Sequence, residues 1–165
     1  MSDPIAGTVI DCLEFARIGG VLERKVGLDQ LPRLADLLAG TAGVLLVRLE
    51  GWRDDAGKSW LQLDIAGDPL LCCQRCLGGV KVPLSIRSRL QLMAPGEEWP
   101  DDDLADDSTD AIEAETALVV LSLIEDEVLL ALPIAPRHEQ CESPLASASE
   151  HGSSPFSALA ALKKH

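Results

Sequence analysis

Two short segments that lie far apart in the sequence both carry side chains typical of metal ligands. Cys73 and Cys76 form a C-x2-C pair, which lets two thiolates point at one centre while the intervening backbone amides partly neutralise their charge. His138 and Cys141 form an H-x2-C pair near the other end of the chain. Tetrahedral zinc takes this set of four ligands. One zinc ion bound by all four would require the fold to bring the two segments together.

Two other interpretations of the cysteines stay open. In the first, Cys12 and Cys72 belong to the core and the remaining cysteines are merely reduced thiols. In the second, Cys73 and Cys76 form a thiol-disulfide redox pair. A redox C-x2-C normally opens a helix, whose N-terminus lowers the pKa of the first thiol. Here two glycines and an apparent strand follow Cys76, which favours zinc over redox chemistry.

Composition predicts one compact domain, and the N-terminal sequence predicts that it stays in the cytosol. A chain of 165 residues with 47% apolar residues can build one sizeable core, and with 3% aromatic residues that core must be aliphatic. The N-terminus lacks the basic and apolar regions of a secretory signal. The longest apolar run, residues 117–132, is interrupted by three acidic residues at 125–127, which argues against a membrane span.

The net charge of -13 is concentrated in one segment. Residues 97–115 contain ten acidic residues and no basic one, and the rest of the chain has a net charge of only -3. A charge of -13 would ordinarily argue against nucleic-acid binding, because affinity for phosphate comes mainly from Lys and Arg. Its distribution leaves room for patches of either sign elsewhere on the surface.

The first half of the chain predicts one helix and several strands. Residues 21–26 are typical of a short strand, and leucines at helical spacing predict an amphipathic helix over residues 29–40. Residues 44–53 and 59–65 flank a turn-rich tetrapeptide and predict a hairpin. Residues 70–73 predict a third strand. The buried face of the hairpin is predicted to contain Val47, Leu49, Leu61, Leu63 and Ile65, with Trp60, Gln62 and Asp64 on the opposite face.

The clearest alternation in the sequence runs from Val80 to Leu92 and predicts one long strand with a basic outer stripe. Pro83 cannot donate to a sheet ladder, so the start of this strand is expected at a sheet edge. A solvated face is the ordinary explanation for any single arginine. Three cations on one strand face are nevertheless the best nucleic-acid-binding candidates in the chain: Lys81, Arg87 and Arg89.

The second half is predicted to end in a helix, a linker and a further short helix. Residues 94–115 have the composition of a flexible acidic loop, and residues 117–132 follow helical spacing. Residues 142–154 are predicted to form a linker and residues 155–164 a short helix. We therefore expect a single α+β domain over residues 1–141. It comprises a mostly antiparallel sheet of about five strands covered by two helices, followed by the linker and C-terminal helix at 142–165.

Four segments of the chain form a recognisable combination: residues 73–77, residues 124–133, residues 136–138 followed by Cys141, and a C-terminal Pro-Phe-x-x-Leu-x-x-Leu-Lys at 155–163. Together they resemble the YceD family, also called the large ribosomal RNA subunit accumulation proteins, in its proteobacterial type. Many Gram-positive relatives carry additional cysteines after the Leu-Pro segment. In this chain that part of the pattern retains His138 and Cys141.

The resemblance implies a non-enzymatic ribosome biogenesis factor that promotes accumulation or processing of large-subunit ribosomal RNA in the cytoplasm. The implied partner is that RNA or a basic large-subunit ribosomal protein. The sequence indicates no membrane and no small-molecule substrate. The alternatives are a thiol-disulfide redox protein using Cys73 and Cys76, and a zinc-stabilised protein-interaction module.

The sequence gives little support to hydrolytic chemistry. No serine lies in a nucleophile-elbow pattern, and the acidic residues at 125–127 make a poor acid/base pair because they point in different directions around a helix.

Overall fold

The computed structural model describes residues 7–99 and 109–143 as an α+β domain. Two 3-10 turns, Leu28–Gln30 and Pro32–Leu34, lie between the second and third strands. In chain order the helices and strands are β1 (Val9–Ile10), α1 (Cys12–Arg17), β2 (Val21–Gly27), β3 (Val44–Arg53), β4 (Ser59–Gly67), β5 (Leu70–Cys72), β6 (Gly79–Lys81), β7 (Leu84–Met93), β8 (Asp110–Glu113), β9 (Leu118–Val119) and α2 (Val120–Ala131).

The main sheet has five strands in the order β2-β3-β4-β7-β8. Neighbouring strands are antiparallel except β7 and β8, which are parallel, so the sheet is mixed. Two smaller two-stranded sheets, β1-β9 and β5-β6, complete the described part of the fold. The predicted α+β class and the sheet of about five mostly antiparallel strands are therefore confirmed.

The predicted hairpin is β3 and β4, and its two faces are as the alternation indicated. Val47 pairs with Ile65 and Leu49 with Leu63, and all four side chains are buried. At the turn, the Asp54 carboxylate accepts a hydrogen bond from the Lys58 amide at 2.9 Å. The opposite face of the hairpin carries the polar residues and both of its tryptophans.

Both helices lie on the inner face of the sheet, defined as the face that carries Leu49 and Leu63. Helix α1 packs on β3 and β4, and α2 packs on β7 and β4. The close approach of α1 requires Gly51, because a Cβ there would lie 2.7 Å from the Phe15 ring and 3.0 Å from the Ala16 backbone. The sequence pattern did not assign α1, although Asp11 caps it by accepting a hydrogen bond from the Glu14 amide at 2.9 Å.

The helix predicted over residues 29–40 is wrong: two 3-10 turns and a further turn replace it. Pro32 disfavours the helical conformation at Leu31, whose φ of -111° and ψ of 77° are not helical. The leucines that suggested a helix are nevertheless buried, two of them in the 3-10 turns and two just outside them. These are Leu28, Leu31, Leu34 and Leu38.

The single long strand predicted over residues 80–92 is divided in two at Val82 and Pro83. Strand β6 pairs with β5 in a small sheet, whereas β7 pairs with β4 in the main sheet. Because proline has no amide to donate, the ladder ends there. Lys81 is consequently in a different sheet from Arg87 and Arg89.

The acidic segment contains a strand that the sequence did not predict. Asp110–Glu113 pairs in parallel with the end of β7, so residues 94–115 are not a loop throughout. Residues 100–108 lie outside the described residues, as do residues 144–165 with the predicted linker and C-terminal helix.

The helix predicted over residues 117–132 is confirmed as α2, and each of its three acidic residues makes a polar contact with another segment. The buried Glu125 carboxylate accepts a hydrogen bond from the Arg33 amide at 2.8 Å. Asp126 forms an ion pair with the Arg33 side chain, and Glu127 accepts a hydrogen bond from Ser88. Within the described ranges, no helix is long and apolar enough to cross a membrane.

Candidate metal centre

The four predicted ligands lie together at one end of the fold. Cys73 and Cys76 occupy the turn between β5 and β6, and His138 and Cys141 follow α2. The two segments are also joined through their backbones, since the Gln74 amide donates to the Pro136 carbonyl at 2.8 Å. The short β5-β6 sheet and the end of α2 thus position both halves of the site.

The spacing of the ligand atoms matches a tetrahedral metal centre. The three Sγ atoms and the His138 ring nitrogen lie within 4.8 Å of one another. The Sγ atoms of Cys73 and Cys141 are 3.7 Å apart, and Cys76 Sγ is 3.4 Å from His138 Nδ1. Tetrahedral zinc would place two sulfur ligands about 3.8 Å apart, and a sulfur and a nitrogen about 3.6 Å apart. The four residues lie close enough together to bind one metal ion.

A hydrogen bond outside the ligand cluster orients the histidine. His138 Nε2 lies 2.9 Å from the Gly79 carbonyl oxygen. Because a carbonyl only accepts, Nε2 must carry the proton, which leaves the Nδ1 lone pair directed toward the cysteines. Protein metal ligands are commonly held in this way, with the second ring nitrogen donating to a carbonyl or carboxylate.

The C-x2-C turn is held by backbone hydrogen bonds around Cys73. Its amide donates to the Gly78 carbonyl at 2.8 Å, and its carbonyl accepts from the Leu77 amide at 2.9 Å. Closing this turn places Leu77 in the left-handed region with φ of 62°. A leucine there is uncommon, and backbone conformations of this kind concentrate at functional sites.

The surroundings of the cluster favour thiolate at Cys73. Backbone hydrogen bonds lower its pKa to about 5, with the Cys76 amide as the largest contribution and the Arg75 amide also donating to the sulfur. Burial raises the pKa of Cys141, and its hydrogen bond to Cys73 raises it further. A metal ion would favour the thiolate form of all three cysteines.

The same geometry gives little support to redox chemistry at Cys73 and Cys76. Residues 74–76 form a turn rather than the first turn of a helix, so the helix N-terminus that activates redox pairs is missing here. Cys73 Sγ contacts both Cys141, at 3.7 Å, and Cys76, so it belongs to a cluster of three thiols and not to an isolated pair. Of the other cysteines, Cys12 is the buried first residue of α1 and Cys72 is half-buried on β5.

The structure places only two of the three predicted RNA-binding cations together. Arg87 and Arg89 lie on the outer face of the main sheet, opposite the helices, and Lys81 lies on β6. Arg87 forms an ion pair with Asp64 at 2.7 Å, and Arg89 lies over the ring of Trp52. Trp52 and Trp60 stack on each other on this face and were not among the predicted site residues. The sequence did contain an indication of them, because both lie on the polar face of the hairpin, where a tryptophan is unusual.

Comparison with known proteins gives one family match. The family model described as large ribosomal RNA subunit accumulation protein YceD matches residues 61–163. The matched segment runs from β4 past α2 and includes all four candidate metal ligands. No curated protein and no solved structure matches the chain.

Proposed function

The chain belongs to the YceD family, and we propose that it is a non-enzymatic factor that promotes accumulation or processing of large-subunit ribosomal RNA. The observation that carries this proposal is the family match, which extends over more than half of the chain. The family's name ties its members to large-subunit ribosomal RNA accumulation. The implied partner is that RNA or a basic ribosomal protein, with the cytoplasm as the place of action.

The proposal includes zinc as a structural cofactor, bound by Cys73, Cys76, His138 and Cys141. Three thiolates and one imidazole are a donor set that zinc prefers, and the ligand distances agree with tetrahedral coordination. Four protein ligands leave no open position for substrate or water, which is typical of structural rather than catalytic zinc. When bound, zinc would crosslink the β5-β6 turn to the segment after α2.

The experiment that tests the function is complementation of a bacterial strain that lacks the protein. Large-subunit ribosomal RNA is quantified relative to small-subunit RNA in cells carrying the wild-type chain, the Cys73→Ser variant or the Cys72→Ser variant. We expect the wild-type chain and Cys72→Ser to restore the RNA ratio and Cys73→Ser to restore it poorly. Cys72 is the matched control, because it neighbours a ligand but lies outside the cluster.

Two outcomes would count against the proposal in different ways. A normal RNA ratio in the strain without the protein, or one that the wild-type chain fails to restore, would overturn the function. Elemental analysis of the purified chain tests the cofactor separately, with one zinc per wild-type chain expected and none in Cys73→Ser. A metal-free wild-type chain that restores the RNA would remove zinc and keep the function.

A further inference from the structure

The outer face of the main sheet is open to solvent over β2 and β3. The helices occupy the inner face, and three apolar side chains directed outward remain more than half exposed: Val21 at 56%, Val44 at 53% and Leu46 at 53%. Along this face lies a shallow concavity of about 1010 Å³, lined by residues of β2, β3, β4 and β7. Ligand pockets in proteins commonly have volumes of about 300–1,000 Å³, so the concavity could accommodate a sizeable ligand.

A pair of tryptophans lies at the hairpin end of this face. Trp52 and Trp60 are directly opposite each other on β3 and β4, with ring centroids 6.3 Å apart and an angle of 12° between the rings. Trp60 Nε1 donates to the Asp54 carboxylate at 2.9 Å, which fixes its ring. The chain has only five aromatic residues, and two of its three tryptophans lie side by side outside the core. Flat aromatic rings on an open sheet face are a common platform for stacking nucleic-acid bases.

One cation on this face lies beside the tryptophans, and a second lies further along the same strand. The Arg89 guanidinium carbon is 5.9 Å from the centre of the Trp52 ring. Within residues 7–99 and 109–143, Arg89 has no ion pair with a carboxylate. Arg87 lies two positions away on the same strand face, and its side chain is 78% exposed although it pairs with Asp64. A phosphate could therefore reach Arg89 directly, and Arg87 in competition with Asp64.

The carboxylates on β2, β3 and β4 that face outward are already engaged. Glu23 and Glu50 both pair with Arg48, and Asp64 pairs with Arg87. A basic protein would have to compete with these arginines for each carboxylate. An anionic partner meets Arg89 without such competition. The charge pattern thus favours RNA over a basic ribosomal protein at this face.

We propose that the outer face binds single-stranded RNA, with bases stacked on Trp52 and Trp60 and phosphates held by Arg89 and Arg87. This inference rests on the proposed function, which supplies large-subunit ribosomal RNA as the partner. A single strand is required because the bases of a duplex are already stacked on one another and cannot reach a flat protein surface. Lys81, in the separate β5-β6 sheet, is outside this binding face.

The test measures binding of a fluorescein-labelled 12-nucleotide oligouridine to the full chain by fluorescence anisotropy in 0.1 M potassium chloride. Replacing both Trp52 and Trp60 by alanine should weaken binding about 5- to 150-fold for each base that loses its stacking partner. Replacing both by phenylalanine should keep most of the affinity, because a flat ring remains. A 12-base-pair RNA duplex should bind more weakly than the single strand.

Two matched charge variants distinguish RNA binding at this face from general electrostatic attraction of RNA to the protein. Arg89→Gln should weaken binding several-fold and reduce the salt dependence by the equivalent of about one phosphate contact. Lys81→Gln removes the same charge from the other sheet and should leave both quantities unchanged. Urea unfolding and metal content of each variant verify that the fold is kept.

Tryptophan fluorescence provides a second measurement. It should change when bases stack on Trp52 and Trp60, but not if these residues only stabilise the fold. In a Trp99→Phe background only Trp52 and Trp60 emit, and stacked bases should quench that emission with the same midpoint as the anisotropy. Binding unaffected by the double alanine variant, or weakened equally by Lys81→Gln and Arg89→Gln, would overturn the proposal. Quenching by an arginine-rich peptide, with no binding of the oligonucleotide, would also overturn it and assign the face to a basic protein.

The complementation assay distinguishes this inference from the proposed function. If the wild-type chain restores large-subunit RNA in cells but does not bind the oligonucleotide, the RNA-binding face is wrong and the function stands. If the wild-type chain fails to restore that RNA, the proposed function is wrong whatever the binding result. Restoration by the wild-type chain but not by the double alanine variant supports both.

Discussion

The five-stranded sheet and the candidate metal-ligand cluster differ in the interactions that can stabilise them. In the sheet, aliphatic side chains from β3, β4 and β7 pack beneath the helices, and residues such as Leu49 and Leu63 are completely buried. In the cluster, short β5 and β6 strands carry few buried apolar groups, and four polar ligands converge instead. Where a segment is too short to bury a core of its own, crosslinking by a metal ion can supply its stability.

The segment between β2 and β3 connects these two regions. Its buried leucines pack into the core of the sheet, while its backbone bonds to β5. The Cys72 amide donates to the Leu37 carbonyl at 2.9 Å, and the Ala39 amide donates to the Leu70 carbonyl at 2.8 Å. Glu125 of α2 accepts a hydrogen bond from the Arg33 amide at the other side of this segment. If the two regions are stabilised separately, a substitution in one should leave the other largely intact.

The largest expected effect is in the centre of the sheet. Leu63→Ala should lower the free energy of unfolding by about 2–5 kcal/mol, because it removes buried methyl groups and leaves a cavity. Urea unfolding measures the change. Leu46→Ala, on the exposed outer face of the neighbouring strand, should change it by no more than about 0.5 kcal/mol. Equal losses for the two variants would contradict the assignment of the sheet's two faces.

Loss of the proposed zinc should have the next largest effect on stability and should act mainly on the cluster. With free zinc at about a hundred times its Kd, wild-type protein should gain roughly 2–3 kcal/mol over the Cys73→Ser variant. Hydrogen exchange should show faster exchange at residues 70–81 and 136–142 in the variant, with β3 and β4 still protected. Cys72→Ser is the control. Uniformly faster exchange in all strands would instead indicate that the sheet and the cluster unfold as one unit.

Substitutions that loosen the segment between β2 and β3 should have a smaller effect on the free energy of unfolding. Glu125→Ala leaves the Arg33 amide without its acceptor and should lower the free energy of unfolding by about 1–2 kcal/mol. Asp126→Ala removes an exposed ion pair with the same arginine and should cost no more than about 1 kcal/mol. Chemical denaturation of both variants compares them directly. The prediction fails if Asp126→Ala is the more destabilising change.

The smallest effect is expected from Asp54 at the hairpin turn of the sheet. Its hydrogen bond from Trp60 Nε1 lowers the carboxyl pKa below the usual value of 3.8. The Asp54 carboxylate therefore stabilises the folded protein fully above about pH 4. This stabilisation is lost as the pH falls through the lower pKa that Asp54 has in the folded state. Urea midpoints measured between pH 7 and pH 2 should show Asp54→Asn less stable at neutral pH, with the difference disappearing in acid. A difference that persists in acid would exclude the charged carboxylate as its cause.

Local patterns predicted the regions where one periodicity runs uninterrupted. The β3-β4 hairpin, strand β2 and helix α2 follow from alternation or helical spacing, because burial of one face selects that spacing. Prediction failed where a proline interrupted the pattern. Pro32 replaced a helix by 3-10 turns, and Pro83 divided one strand between two sheets. Helix α1 and strand β8 were missed because segments of six and four residues contain too little periodicity.

The two predicted sites depended on tertiary structure to different degrees. The ligand set Cys73, Cys76, His138 and Cys141 could be proposed from residue types and spacing alone, because few side chains bind zinc. The RNA-binding candidates were taken from one strand, which correctly gave Arg87 and Arg89 a common face. Stacking of Trp52 on Trp60 depends on the register between two strands, and no pattern within a single strand contains that information.

The sequence by itself determined the kinds of groups that this protein contains: an aliphatic core, a candidate set of cysteine and histidine metal ligands, and strands with one buried face. These follow from residue chemistry and short-range periodicity. Only the tertiary structure decided which groups meet. It brought Cys73 to within 3.7 Å of Cys141 and placed Arg89 over Trp52, whereas Lys81 went to another sheet. Such contacts depend on how distant segments pack, and packing is selected by the free energy of the whole fold.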